Sequence, residues 1–258
     1  MSILSSETLF HFTDSIIKLK SILKNEFYPR YSLESYPLDP KESSILEIGV
    51  PMVSFCDIPL SRVKEHVTIY GYYGIGMSKE WAEKKGLNPV LYLYNGSDLS
   101  LNIKEMFINA ANALGVVEKP AREELRIVVK GFNKMFMYIK PFKGDFVRNG
   151  KTHRGKKYYD EREWRYVPST LGKHSGVTYG LDKEKCEDPK MLAEANKRLS
   201  EVKLRFEPHD IKYIIVKEEQ EISDMVNSLK EIKSKYDPHI IEILTSRIIT
   251  YKQIDEDF

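Results

Sequence analysis

Apolar and polar positions recur with two different periods along this chain, and each period predicts one type of secondary structure. Residues 8–13 form a short stretch typical of a strand, in which Phe10 and Phe12 share one face while His11 points to the other. Between residues 16 and 27, apolar residues recur about every 3.6 positions, which indicates a helix. Either Thr13 or Asp14 is predicted to cap the N-terminus of that helix.

Similar patterns continue to the end of the chain without an internal repeat. No linker rich in Pro, Gly or Ser interrupts them, so residues 1–258 are predicted to form a single domain. Some predicted strands are adjacent in sequence, and helices are mixed among them, which favours the α+β class. Further strands are predicted at 50–55, 89–94, 163–167, 202–206, 211–216, 240–244 and 248–250, further helices at 60–70, 99–114, 118–138 (one or two), 191–199 and 218–232, and loops at 28–49 and around Gly144, Gly150 and Gly155.

Composition places this chain among ordinary globular proteins. Of its 258 residues, 41% are apolar and 30% are charged, so the chain can bury a hydrophobic core. No apolar run approaches the roughly 18 residues of a membrane span, and the N-terminus lacks the pattern of a signal peptide. Cys56 and Cys186 are therefore expected to be reduced thiols in a cytoplasmic protein that has no membrane partner.

Several common catalytic motifs are missing from the sequence. It contains no P-loop and no nucleophile elbow, and Gly71, Gly74 and Gly76 lack the spacing of a dinucleotide fingerprint. The six histidines are scattered, without cysteine or histidine pairs at the spacing of zinc ligands. The sequence therefore predicts no metal site.

Basic charge is concentrated between residues 130 and 157. This segment contains nine lysines and arginines but a single acidic residue, Asp145, and aromatic residues are interleaved among them. It is typical of nucleic-acid binding, because cations bind phosphates and exposed rings stack on bases. It also fits a helix whose Phe132, Phe136 and Tyr138 belong to the core and whose lysines are solvated. The candidate nucleic-acid contacts are Lys143, Arg148, Lys151 and Arg154.

Two segments of the first half combine polar and aromatic side chains. His11 is either a structural histidine or a donor that binds a ligand hydroxyl. Arg62, His66 and Tyr70 recur every four residues, so they would share one helix face ahead of Gly71, which is a candidate C-cap. The alternative for this second segment is a helix end whose tyrosines pack on the sheet.

A third segment of this kind precedes the predicted strand at 163–167. Glu161 and Glu163 would share one face of that strand, with Trp164 and Tyr166 on the other. A carboxylate beside an aromatic wall is a candidate acid or electrostatic stabiliser. The pattern also fits an exposed strand edge with alternating charges.

Four motifs occur in an order that is shared with a known family. They are His-Phe-Thr at 11–13, Val-Pro-Met-Val-Ser-Phe-Cys-Asp-Ile-Pro-Leu-Ser at 50–61, Tyr-Gly-x-Tyr-Gly-Ile-Gly at 70–76 and Glu-x-Glu-Trp-Arg at 161–165. Together they resemble the AbiGi-type abortive-infection (phage-resistance) family. The layout is also similar to ADP-ribosyltransferase-like proteins, including the DarT toxins, in which an N-terminal His or Arg, a central aromatic residue or Ser and a late Glu line a pocket for NAD.

This resemblance implies a split β-sheet core surrounded by helices, with NAD as the cofactor. His11 would bind the NAD ribose, and Glu163 would be the catalytic carboxylate. Tyr70 or Tyr73 would orient the nicotinamide. His66 and Tyr72 are the alternative residues for that role. The implied catalytic residues are Glu163, His11 and Tyr70, and the implied NAD-binding residues are His11, Phe12, Thr13, Ser54, Tyr70 and Tyr73.

The same resemblance implies an anti-phage ADP-ribosyltransferase toxin that modifies nucleic acid and is neutralised by an antitoxin partner. Two alternatives remain open. The chain is a non-catalytic antitoxin or binding partner, or it is an NAD glycohydrolase that releases nicotinamide without an acceptor.

Overall fold

A computed structural model describes residues 7–36, 46–148, 150–169, 178 and 180–257, with the backbone alone at 146–148. Most neighbouring strands of the main sheet are antiparallel, and buried apolar clusters lie against both faces of that sheet. This arrangement confirms the predicted α+β class. Among the described residues, every helix is too short or too polar to span a bilayer.

The main sheet lies at the centre of the described part of the structure, and two small sheets lie beside it. In order along the sheet the strands run β12-β11-β4-β1-β3-β10-β5, and β2 pairs with the first half of β3. Among the described strands of this sheet, only β11 and β12 pair in parallel. The strands are β1 (Thr8–Thr13), β2 (Arg30–Tyr36), β3 (Leu46–Cys56), β4 (Tyr73–Ser78), β5 (Asn88–Pro89), β6 (Leu91–Leu93), β7 (Ile139–Pro141), β8 (Gly144–Arg148), β9 (Lys151–Lys156), β10 (Glu163–Tyr166), β11 (Ile211–Val216) and β12 (Ile248–Thr250).

Helices cover the sheet and extend beyond it. Single turns of 3₁₀ helix lie at Leu60–Arg62, Tyr158–Glu161, Pro208–Asp210 and Glu219–Glu221. The α helices are α1 (Ile16–Asn25), α2 (Lys64–Tyr70), α3 (Lys79–Lys84), α4 (Asp98–Val116), α5 (Ala121–Phe136), α6 (Lys183–Glu187), α7 (Pro189–Arg198), α8 (Ile222–Ile232), α9 (Pro238–Thr245) and α10 (Tyr251–Asp257).

Strand β1 lies between β4 and β3 and is buried on both faces. Its residues alternate as predicted: Phe10 and Phe12 pack with Val67 of α2 and Ile254 of α10, while His11 points to the opposite face. Helix α1 covers that opposite face, but its N-cap is Ser15, whose hydroxyl accepts from the backbone N–H of Lys18 at 3.3 Å, rather than Thr13 or Asp14.

Two predicted loops contain paired strands. Segment 28–49 carries β2 and the start of β3, and its residues 37–45 lie outside the described residues. Tyr31 and Tyr36 of β2 are buried, so this segment contributes to the core. The glycine-containing basic segment contains the antiparallel β8–β9 hairpin. Both strand pairs were missed because strand formation depends on packing against cross-strand neighbours and on burial, which local composition does not show.

Two predicted strands are wrong. The apolar run at 240–244 lies in helix α9, because Asp237 caps its N-terminus and Pro238 occupies its first turn. A short apolar run does not distinguish a buried strand from a buried helix face. Segment 202–206 contributes a single bridge from Leu204 to Phe27. The predicted strand at 89–94 divides between β5 and β6, which belong to different sheets.

Helices α4 and α5 form an antiparallel pair that packs against β2, β6 and β7 at one end. Phe107, Phe132 and Phe136 meet there in edge-to-face contacts beside the buried Ile103. The interpretation of Phe132 and Phe136 as core residues is therefore confirmed. Nearly all of the rest of both helices is exposed or half-buried.

Candidate functional site

Three neighbouring strands bring together three residues that the sequence analysis selected separately. The side chain of His11 on β1 donates from Nδ1 to the backbone carbonyl of Ser54 on β3 at 2.8 Å. The hydroxyl of Ser54 donates to Oε1 of Glu163 on β10 at 2.7 Å. Since β3 pairs with both β1 and β10, the sheet itself sets the spacing of these three side chains.

Glu163 is buried between two cations. Arg165 donates from Nε to its Oε1 at 2.7 Å, and Lys140 of β7 donates from Nζ to its Oε2 at 2.6 Å. Burial alone would raise the pKa of Glu163, but the Arg165 guanidinium and the Lys140 ammonium outweigh burial and hold that pKa well below its usual range. Glu163 is therefore ionised at neutral pH.

Glu161 extends this charge network. Lys140 also donates to Oε2 of Glu161 at 2.8 Å, while Lys156 of β9 lies 2.5 Å from Oε1 and Tyr70 donates to the same oxygen at 2.5 Å. Burial alone would raise the pKa of Glu161, but the ammonium groups of Lys140 and Lys156 lower it to about 2. Glu161 precedes β10, in the 3₁₀ turn, so the predicted shared strand face is wrong, although both carboxylates meet at Lys140.

Arg165 organises the buried side of the network and was not selected from the sequence. It is fully buried, and it donates to Oε2 of Glu34 on β2 at 2.7 Å and to the carbonyl of Met137 at 2.9 Å. Alternation within β10 was a usable signal for Arg165, because residues two apart share a strand face with Glu163. No local pattern indicated Glu34 or Lys140, which reach the site from other strands.

A cavity of about 220 Å³ opens beside these residues. Of the residues predicted to bind NAD, four line it: His11, Phe12, Ser54 and Tyr70; Glu163 lines it as well.

Two residues predicted to bind NAD are not among those that line the cavity. Thr13 and Tyr73 face one another across the β1–β4 pair, at the end of β1. Strand β4 lies on the side of β1 that is away from β3 and β10, and Tyr73 instead donates to Oε1 of Glu221 at 2.7 Å. The lining of this cavity therefore does not include Thr13 and Tyr73: Thr13 is the last residue of β1, beyond His11 and Phe12, and Tyr73 is on β4.

The aromatic wall of the cavity is formed by α2. Tyr70 stacks on His66 with 4.3 Å between ring centroids, and both residues line the cavity. Arg62 does not share their helix face as predicted, because α2 begins at Lys64 and Arg62 lies exposed in the preceding 3₁₀ turn. Gly71 ends the helix at φ +113°, where a Cβ atom would fall 2.2 Å from the carbonyl oxygen of Thr13.

The basic segment does not form one continuous cationic surface. Lys140 and Lys156 are drawn into the charge network, whereas Lys143, Lys151 and Arg154 are exposed. The fourth candidate contact, Arg148, is in β8, and its side chain lies outside the described residues. Around the site, the described chain offers no group of three or more His, Cys, Asp or Glu residues that could hold a metal ion.

The half-buried His66 makes stability depend on pH. Burial lowers the pKa of His66 to about 4, whereas an unfolded histidine titrates near pH ~6.5. The unfolded chain therefore binds more protons between these values, and the free energy of unfolding falls as the pH is lowered through this interval, by up to about 1.4 kcal/mol per pH unit. We expect His66→Gln to reduce this slope, as measured by urea unfolding over the same interval.

His239, which is exposed, provides the matched control for this measurement. His239→Gln should keep the slope of the unaltered protein. Equal slopes in all three proteins would contradict a lowered pKa for His66.

Comparison with known proteins gives one family. The family model described as "Putative abortive phage resistance protein AbiGi, antitoxin" matches residues 25–217. Abortive phage resistance protein AbiGi of Lactococcus lactis subsp. cremoris is 29% identical over 256 residues, which cover 90% of this chain and 99% of that relative. No solved structure matches the chain significantly. Because the family model covers well over half of the chain, the protein belongs to the AbiGi family of abortive phage resistance proteins.

Proposed function

We propose that this protein cleaves the nicotinamide–ribose bond of NAD and transfers ADP-ribose to an acceptor as its action in abortive phage resistance. The observation that carries the proposal is the hydrogen-bonded series His11–Ser54–Glu163, which crosses three neighbouring strands beside a cavity. These are the residue types that the resemblance to ADP-ribosyltransferase-like proteins implies: an N-terminal His, a central Ser and a late Glu.

The charge of Glu163 suits this reaction. Cleavage of the nicotinamide–ribose bond develops positive charge on the ribose, as in glycoside hydrolysis. A carboxylate that is already ionised and held in place stabilises that charge without reorganising. Ser54 and Arg165 orient the Glu163 carboxylate, and burial raises the pKa of Tyr70, so its phenol stays protonated and keeps donating to Glu161.

The size of the cavity limits which part of the substrate it holds. Its volume of about 220 Å³ is below the roughly 300–1,000 Å³ that is usual for small-molecule pockets. It suits the nicotinamide–ribose end of NAD, with the remainder of the dinucleotide outside. In this arrangement Nδ1 of His11 donates to Ser54, so Nε2 of the neutral ring accepts from a ribose hydroxyl, and the rings of His66 and Tyr70 form the wall beside the nicotinamide.

We assign the acceptor to nucleic acid, on the basis of the β8–β9 hairpin. Lys156, near the base of this hairpin, reaches Glu161 at the cavity, while Lys151 and Arg154 are exposed farther along β9. This arrangement would hold a phosphate backbone next to the reacting ribose.

The acceptor assignment is tested with the double variant Lys151→Glu/Arg154→Glu. We expect it to lower transfer to nucleic acid about tenfold or more, because two phosphate contacts become repulsive, while nicotinamide release continues. The matched control is Lys230→Glu/Lys252→Glu, which reverses two exposed lysines on α8 and α10. Equal loss of transfer in both double variants would contradict a specific role for the hairpin.

A second candidate function is a non-catalytic antitoxin that binds a partner protein. It is favoured because the acceptor positions of the Glu163 carboxylate are already occupied. Oε1 accepts from Ser54 and Arg165, and Oε2 accepts from Lys140 and, at 3.3 Å, from Arg165. A carboxylate has about four acceptor positions, so a ribose hydroxyl must displace one of these donors. The description of the matching family model as an antitoxin supports the same candidate.

The two candidates are separated by incubating the purified protein with NAD labelled in the adenosine part, together with RNA, DNA or cell lysate. Label on a macromolecule supports transfer and identifies the acceptor class. Nicotinamide release without transfer of label indicates a glycohydrolase. If neither label transfer nor nicotinamide release occurs, the transferase proposal fails and the antitoxin candidate is retained.

A further inference from the structure

Several apolar side chains of α4 and α5 are exposed to solvent. Met106 and Val116 of α4 are 58% and 82% exposed, and Ile127 of α5 is 71% exposed with Val128 beside it at 48%. Single exposed apolar residues are normal, but Ile127 and Val128 are exposed next to each other on α5, which is typical of an interaction surface. This surface is independent of the cavity and of the proposed function.

The centre of α5 contains three residues with low helix propensity. Ile127 and Val128 are β-branched, and Gly131 is less favourable by about 1 kcal/mol than alanine within a helix. A Cβ atom at Gly131 would meet nothing within 4 Å, so packing inside this chain does not require glycine there. An exposed glycine one turn from an exposed isoleucine allows close approach of another helix.

An acid and a base flank Ile127 on one face of α5. Glu123 precedes Ile127 by four residues and Lys130 follows it by three, and Glu123 also accepts from Arg126 at 2.9 Å within the helix. An acidic first turn and a basic last turn also suit the dipole of α5 itself. The dipole does not explain the apolar centre between them, however, and that centre is what a partner would cover.

We propose that this face of α5 binds the same face of a second copy of the chain, with the two helices antiparallel. A two-fold axis near Ile127 places the two isoleucines against each other and Glu123 of each copy near Lys130 of the other. Gly131 leaves space for the side chains of the opposite helix. The pattern of acid, apolar residue and base is therefore complementary to itself, as an isologous interface requires.

The association is tested by sedimentation of the full chain over a range of concentrations. The unaltered protein is expected to dimerise, and Ile127→Lys to weaken dimerisation about 100-fold or more, because it places two cations at the centre of the contact. The residue is exposed, so circular dichroism should show unchanged helix content. A protein that is monomeric throughout the micromolar range, or a dimer unaffected by Ile127→Lys, would overturn the proposal.

A charge exchange identifies the partner as a second copy. Glu123→Lys and Lys130→Glu are each expected to weaken dimerisation about tenfold, because each turns two attractive pairs into repulsive ones. The double variant restores opposite charges and should recover the association. Failure of the double variant to recover, while both single variants remain folded, would exclude the antiparallel arrangement. Glu231→Lys, an exposed substitution on α8, is the control and should not affect dimerisation.

Discussion

Replacing Arg165 with methionine is expected to lower the free energy of unfolding by about 3–5 kcal/mol. The guanidinium is fully buried and holds the carboxylates of Glu163 and Glu34 at 2.7 Å each. Methionine preserves much of the side-chain volume but removes the cation that these two carboxylates share. Of the network's cations, Lys140 then remains, paired with Glu163. Urea unfolding followed by circular dichroism measures the loss.

An exposed arginine gives the matched control for this experiment. Arg205 forms an ion pair with Glu26 at 3.8 Å, and its side chain is 75% exposed. Arg205→Met should change the free energy of unfolding by less than about 1 kcal/mol, because solvent screens exposed pairs. Similar losses in both variants would mean that the buried network contributes little to stability.

Glu163→Gln is expected to abolish cleavage of NAD, with a loss of at least about 100-fold in rate. Glutamine is nearly isosteric with glutamate but removes the negative charge that would stabilise the ribose. The measurement is nicotinamide release per folded molecule, determined below the unfolding transition of each variant.

Stability complicates this second experiment, and the structure supplies the control. Glu163→Gln removes the negative charge between Lys140 and Arg165. This loss by itself is expected to lower the free energy of unfolding by about 3–5 kcal/mol. Glu161 shares Lys140 with Glu163, so Glu161→Gln should destabilise the protein for the same physical reason. It should nevertheless retain nicotinamide release. Equal activity losses in the two variants would show that the charge network, and not the Glu163 carboxylate in particular, is required.

Ser54→Ala provides an independent variant with a smaller effect on charge. The substitution removes the hydroxyl that donates to Oε1 of Glu163 and leaves Arg165 and Lys140 in place. We expect nicotinamide release to fall about tenfold or more while the fold is retained, because the carboxylate loses one of the groups that orient it. Unchanged release would argue against an orienting role for Ser54.

Local sequence patterns were sufficient for features that depend on a few adjacent residues. Alternation in β1 predicted that His11 faces away from Phe10 and Phe12, and the structure confirms this. Helix periodicity likewise predicted α4 and most of α5, which run close to their predicted bounds. In these elements the side-chain period and the backbone conformation are linked by geometry, so the pattern is enough.

The partners of each side chain required the tertiary structure. The sequence indicated Glu163 and His11, but not that β3 lies between their strands and links them through Ser54. It gave no sign that Lys140 and Glu34 complete the charge network, because they come from strands separated from β10 along the chain. Periodicity tells which way a side chain points, whereas strand order and register decide what it meets, and these depend on the packing of the whole chain.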